Sequence, residues 1–324
     1  MALVLDGPYK NKPVSVFYIS RAARVYPAYF VSLILSLAVI AATTGWSFFN
    51  AFLSMNWLHQ SYVVLTNLFI FGQDFAYLFC LSDAVTGQCY PVTTTMLNAP
   101  GWSIAVELLF YLMAPWLVST LRRSAIFITL GLLYVFLVPF VDIEAVRNII
   151  GNSPHLNTST FTYYLFPGSF LFFGSGAIAY HLIYRRHILA GSQATGSTPY
   201  WIGLAFVFVL AVYCSPLMAW WQLLAFVIAA PALFSITRQN RVDRAIGDLS
   251  YPIYILHFPI VSYLQVTAYA GPVSIGTLAA ILTIAAGIVV FWLVDRPVDR
   301  WRHRMVAAYS PKSGNMRTEN SIVT

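Results

Sequence analysis

Eight apolar runs, joined by short connections that hold nearly all the positive charge, leave this chain few choices of fold. They lie near residues 27–45, 101–121, 124–141, 161–183, 200–214, 219–237, 250–269 and 274–294, of which 200–214 is the shortest. A crossing of the hydrocarbon core takes roughly 20 apolar residues, and lipid offers backbone polar groups no partner, so such runs must be helical. Only 9% of the 324 residues are charged and 59% are hydrophobic, whereas a soluble domain carries about a quarter of its residues charged. The sequence therefore reads as an all-α, polytopic integral membrane bundle.

Positive charge orients it. With the segment before Arg21 in the cytoplasm and eight alternating crossings, every basic residue of the 18 except Arg147 falls inside, as the positive-inside rule requires. Both termini are then cytoplasmic. The stretch 62–80, with Asn67, Gln73 and Asp74, is apolar enough to suggest a ninth crossing. That crossing would invert everything after it, so 46–80 reads as re-entrant, interfacial or helical-hairpin structure on the outer side. The net charge of +7 reflects the inside bias and an attraction to anionic lipid headgroups. It does not indicate nucleic-acid binding, because the basic residues are scattered over short loops.

Cys80, Cys89 and Cys214 fall near the outer face. A Cys80–Cys89 disulfide and free thiols are equally compatible with the sequence, and no cysteine spacing suits a metal ion. Residues 1–305 form one membrane domain, and 306–324 are expected to be a polar, disordered cytoplasmic tail. No internal repeat is visible.

Ionisable residues within apolar runs are costly and rare, which makes each a candidate for function. Ser103, Glu107 and Tyr111 recur at four-residue spacing and share a helix face, placing Glu107 about 9 Å below the outer end of its run. A carboxyl there can act as a base or orient a hydroxyl; a structural hydrogen bond to a neighbouring helix is the competing reading. Ser250, Tyr254 and His257 share another face, entering from the cytoplasmic side, with Ser250 expected as an N-cap and Pro252 in the first turn. A lone His in an apolar helix is more often a packing residue. His181 is expected at the interface. Arg21 and Arg24, one turn apart before the first run, either anchor the chain or grip a phosphorylated donor bidentately. Asp295-Arg296-Pro297 is expected to stop the last helix.

Four motifs in order resemble the membrane acyltransferase-3 family: Phe17 to Pro27 with Arg21 and Arg24, Trp102 to Glu107 with Phe110-Tyr111, Ser250 to His257, and Asp295-Arg296-Pro297. The resemblance covers residues 14 to 305. It implies a ten-helix bundle with both ends cytoplasmic, of which this chain looks to lack the first two helices and the histidine regarded as the family's base. It also implies transfer of an acyl group, acetyl or another short chain, from cytoplasmic acyl-CoA to a hydroxyl acceptor such as a carbohydrate at the outer side of the plasma (bacterial inner) membrane. Acyl-CoA is then a co-substrate, with no bound cofactor or metal. On this resemblance Arg21 and Arg24 hold the donor's phosphates, and Glu107 and His257 are the catalytic candidates. Trp102, Ser103, Tyr111, Ser250 and Tyr254 line the site. A transporter using the same cavity, or a catalytically impaired remnant, is the alternative.

Overall fold

The structure is a computed structural model that describes residues 1–79, 81–82, 89–90, 96–150, 156–184, 240–269 and 271–309. The expected crossings 200–214 and 219–237, the pairing of Cys80 with Cys89, Cys214 and the tail from 310 lie outside the described residues. What is described is helical, apart from a two-residue antiparallel ladder in which Leu81 faces Tyr90 and Ser82 faces Cys89. Among the described residues three helices are long and apolar enough to cross a membrane: Val14–Thr44, Leu121–Phe140 and Ile275–Ala308.

A short helix α1 (Ala2–Asp6) precedes α2 (Val14–Thr44). At 31 residues α2 is about 46 Å long, well beyond the roughly 30 Å of a hydrocarbon core. It starts at Val14 rather than at Pro27, so Arg21 and Arg24 stand inside the helix and not in a loop before it. Pro27 is tolerated within it; the ring removes the N–H that would serve the Ala23 carbonyl four residues earlier.

The segment that follows folds back, as the charge distribution requires. After α3 (Ser47–Ser54), Asn56 caps α4 (Trp57–Phe69) by accepting from the His59 amide at 2.8 Å. With 13 residues, α4 reaches only about 20 Å before it ends. Tyr26 Oη donates to Phe69 O and Tyr29 Oη to Asn67 O, both at 2.7 Å, so the end of α4 abuts the middle of α2. The chain turns there through Ile70 (φ 69°) and Gly72 (φ 88°). Gln73 and Asp74 at this tip are 0% exposed. The result is a helical hairpin whose tip meets the middle of α2.

Helix α5 (Gly101–Leu117) starts beside that tip and runs antiparallel to α2, with Tyr18 Oη donating to Leu112 O at 2.7 Å. It therefore starts level with the middle of α2. Helix α6 (Leu121–Leu137), capped by Thr120, continues as a 3-10 turn to Phe140, and α7 (Ile143–Ile150) follows. The expected crossing 161–183 is broken into α8 (Thr158–Tyr163), a 3-10 turn, α9 (Phe170–Ala179) and a π turn (Tyr180–Tyr184). Helix α9 packs on α6.

Helix α10 (Arg241–Val266) is capped by Asn240, whose side chain accepts from Val242 N. Ser250 is thus ten residues into this helix and is not its N-cap; the charges at its start hid the true beginning from a hydropathy reading. Helix α11 (Ile275–Val290), capped by Ser274, passes through a π turn (Phe291–Asp295) directly into α12 (Arg296–Ala308). Asp295-Arg296-Pro297 is therefore no helix stop, because Pro297 sits in the first turn of α12, a position where proline is tolerated. Helix α10 packs against α2 and α11, and α12 returns to the start of α2, where Lys12 Nζ donates to Val306 O at 2.7 Å.

One buried polar junction ties the bundle together. Pro259 in α10 removes the N–H that the Ile255 carbonyl would accept from. Ser32 Oγ of α2 donates to that carbonyl at 2.7 Å, and Asn98 Nδ2, just before α5, does so at 3.0 Å. In an apolar medium such side chains re-satisfy the backbone that a proline exposes.

Candidate functional site between α2, α5 and α10

The two arginines of the 21–24 pair part company. The Arg21 guanidinium turns inward over three rings, with centroids 5.8 Å away for Tyr9, 5.5 Å for Phe17 and 5.6 Å for Tyr111. A weakly hydrated, planar cation is suited to such a cage. Its Nε is buried with no hydrogen-bond partner. Arg24 is exposed and lines a small opening with Ala23, Asp248, Tyr251, Phe291, Asp295 and Asp299. Tyr251 closes one wall by donating to Val25 O at 2.8 Å. Asp299 is engaged elsewhere, in an ion pair with Arg302 at 2.8 Å.

On α5 the predicted face exists. Tyr111, 6% exposed, donates its hydroxyl to Glu107 Oε1. The same Tyr111 ring forms one wall of the Arg21 cage, so cation, phenol and carboxylate stand in series. One turn above Glu107, Ser103 Oγ meets Tyr254 Oη of α10 at 2.6 Å. Ser103 Oγ also lies 2.9 Å from Pro100 O, which can only accept, so the serine donates there and Tyr254 donates to the serine. Trp102 packs at a tilt against Tyr163 and edgewise on Tyr164, with centroids 5.0 and 4.8 Å apart.

On α10, His257 Nδ1 lies 2.5 Å from Tyr254 O. A carbonyl only accepts, so Nδ1 carries the proton and the lone pair is on Nε2. The Tyr254 ring lies 5.8 Å from the imidazole. No hydrogen bond or ion pair joins Glu107 to His257 among the described residues; Ser103 and Tyr254 stand between their helices. Ser250 donates instead to Gly247 O at 2.7 Å and touches none of the other candidates. His181 Nε2 lies 3.0 Å from Val118 O at the end of α5, apart from this group.

The geometry thus joins Arg21, Tyr111 and Glu107 in one line and Ser103, Tyr254 and His257 in another, with Arg24 at a separate opening. Three contributors escaped the sequence reading. Tyr9 reaches Arg21 from the loop before α2 and bonds Ser20 through its hydroxyl. Asp295 stands at the Arg24 opening because the helix continues past it. Asn98 ties the start of α5 to α2 and α10; Pro259 was its only signal in the sequence, marking an exposed carbonyl that some neighbour must meet. Among the described residues no group of three or more His, Cys, Asp and Glu is placed to hold a metal ion. Chemically, the arrangement offers a caged cation, a carboxylate held by a phenol, and an imidazole whose Nε2 meets no hydrogen-bond partner among the described residues.

Comparison with known proteins identifies a family for the chain. A family model described as an acyltransferase domain, that of the membrane acyltransferase-3 family, matches residues 2–295. Nodulation protein 10 of Rhizobium leguminosarum bv. viciae is 23% identical over 313 residues, covering 94% of this chain and 81% of that protein. No solved structure matches.

Proposed function

Because the chain belongs to the membrane acyltransferase-3 family, we propose that it moves an acyl group, acetyl in the simplest case, from cytoplasmic acyl-CoA to a hydroxyl of a carbohydrate or other envelope acceptor. The observation that carries this reading is the series Arg21–Tyr111–Glu107, which sets a cation and a carboxylate side by side where α2 meets α5. The reading includes eight crossings in the plasma membrane with both termini cytoplasmic.

In this scheme the acceptor hydroxyl attacks the thioester carbonyl. Its proton passes to His257 Nε2 or Glu107, the C–S bond breaks, and the CoA thiolate leaves and takes up a proton. Arg21 and Arg24 serve the donor. Arg21 lies close enough to Tyr111 to offset charge developing on the thioester oxygen. Arg24 meets the donor's phosphates at the opening that it lines with Asp248 and Asp295. Ser103, Tyr254 and Trp102 shape the acceptor side.

The purified protein in proteoliposomes, given acyl-labelled acetyl-CoA and an envelope fraction, should form labelled ester and release free CoA thiol in equal amounts. Arg21→Ala should abolish both. Movement of a substrate without ester formation, or turnover unchanged in an Arg21→Ala, Arg24→Ala variant, would overturn the scheme.

A further inference from the structure

We propose that Gln73, at the tip of the helical hairpin, is a positioning residue that fixes where α5 starts and hence where Glu107 stands in the site; the proposal rests on the acyl-transfer reading above. Gln73 is 0% exposed. Its Nε2 donates to Thr66 O at 2.8 Å and to Tyr29 Oη at 3.0 Å, and that phenol is itself spent as a donor to Asn67 O. Both amide hydrogens are therefore committed, the amide cannot be reversed, and Oε1 must point the other way. It points at Gly101, the first residue of α5, and has no hydrogen-bond partner among the described residues. A Cβ on Gly101 would stand 2.0 Å from Oε1 and 2.9 Å from Cδ.

The start of α5 has no side-chain cap, since Pro100 occupies the N-cap. The Gln73 carbonyl dipole lies there against the positive end of the helix, which it complements. Glu107 follows Gly101 by six residues, about 9 Å along a rigid helix, so any tilt or lift of the first turn is carried to the carboxylate. Asn98 holds the incoming chain to α2 and α10, and Leu97 N donates to Asn67 Oδ1 of the hairpin at 3.0 Å; the Gln73–Gly101 contact then sets how closely the first turn of α5 itself approaches the hairpin. A misplacement of an ångström in a catalytic group is enough to cost orders of magnitude in rate.

The test is a double-mutant cycle of Gly101→Ala and Gln73→Ala in the full chain. It reads kcat and KM for acetyl-CoA in proteoliposomes, with the thermal midpoint as a folding control. Each single substitution should lower kcat about tenfold or more and leave the donor KM within about twofold. In the Gln73→Ala background the added methyl enters vacated space, so Gly101→Ala should cost almost nothing further. Losses that multiply, or losses that track the folded fraction alone, overturn the proposal. If Gly101→Ala does not fold, Gln73→Ala decides alone: an unchanged kcat refutes positioning. A wild-type protein that transfers no acyl group refutes the functional reading instead, and the positioning role with it.

Discussion

The junction at the Ile255 carbonyl gives the sharpest prediction. Pro259 takes away the intrahelical donor, and Ser32 and Asn98 supply replacements at 2.7 and 3.0 Å while also bonding each other. Ser32→Ala removes one donor to the carbonyl and the acceptor of one Asn98 N–H. Hydrogen bonds between helices in a membrane average about 0.6 kcal/mol and reach about 1.7, so losing two should cost roughly 1–3 kcal/mol. Pro259→Ala restores an N–H four residues beyond Ile255, and the carbonyl then has a donor within its own helix. In that background Ser32→Ala should cost about 1 kcal/mol less, because only its bond to Asn98 is still missed. Reversible unfolding in mixed micelles, followed by tryptophan fluorescence, measures all four corners of the cycle. The packing lost with the proline ring appears on both sides and cancels. Equal costs in both backgrounds would refute the argument that the side chains stand in for the missing backbone donor.

Three further outcomes are expected. Tyr111→Phe leaves Glu107 without its phenol and should lower kcat by about one to two orders of magnitude, with the acetyl-CoA KM little changed; a normal kcat would remove that bond from the chemistry. Asp74 is 0% exposed, and among the described residues its carboxylate oxygens have no hydrogen bond of full geometry, only the nearby backbone N–H groups of Asp74, Phe75 and Phe166. Asp74→Asn should therefore raise stability at neutral pH by about 1–3 kcal/mol, and a lower thermal midpoint would contradict that. Gly287 sits where α10 crosses α11, and a Cβ there would lie 2.8 Å from Ile253 Cγ1. Gly287→Ala should cost about 1–3 kcal/mol of stability, whereas a neutral result would show that Ile253 moves aside freely.

The parts of the site that are costly to bury were legible in the sequence. Glu107 and His257 stand out because an ionisable group in an apolar helix is rare without a use, and Arg21 stands out through its one-turn spacing from Arg24. Their helix faces followed from spacing alone, and Tyr111–Glu107 and Tyr254–His257 are neighbours as read. The hairpin at 46–80 followed from charge, since one more crossing would have put later arginines on the wrong side. Helix limits were less legible. Hydropathy begins a helix where charge stops, whereas the backbone begins it at a cap, so Val14 and Arg241 were placed too late. Asp295 was misread for the related reason that a proline in a first turn looks, in sequence, like one that ends a helix. The roles of Gln73 and Asn98 depend on which carbonyl or glycine stands opposite them, and no local pattern reports that.

The same junction sets an order of events during synthesis. Asn98 and Ser32 precede their shared partner at Ile255 by 157 and 223 residues. At about 5–20 residues per second, roughly 8–30 s of translation separates Asn98 from that partner. For that interval Ser32 and Asn98 can bond each other but not the carbonyl of a helix not yet made. Arrival of α10 is then the event that completes the bundle. A ribosome stalled before Ile255 should leave Ser32 and Asn98 open to membrane-permeant labelling, and one stalled well beyond it should not.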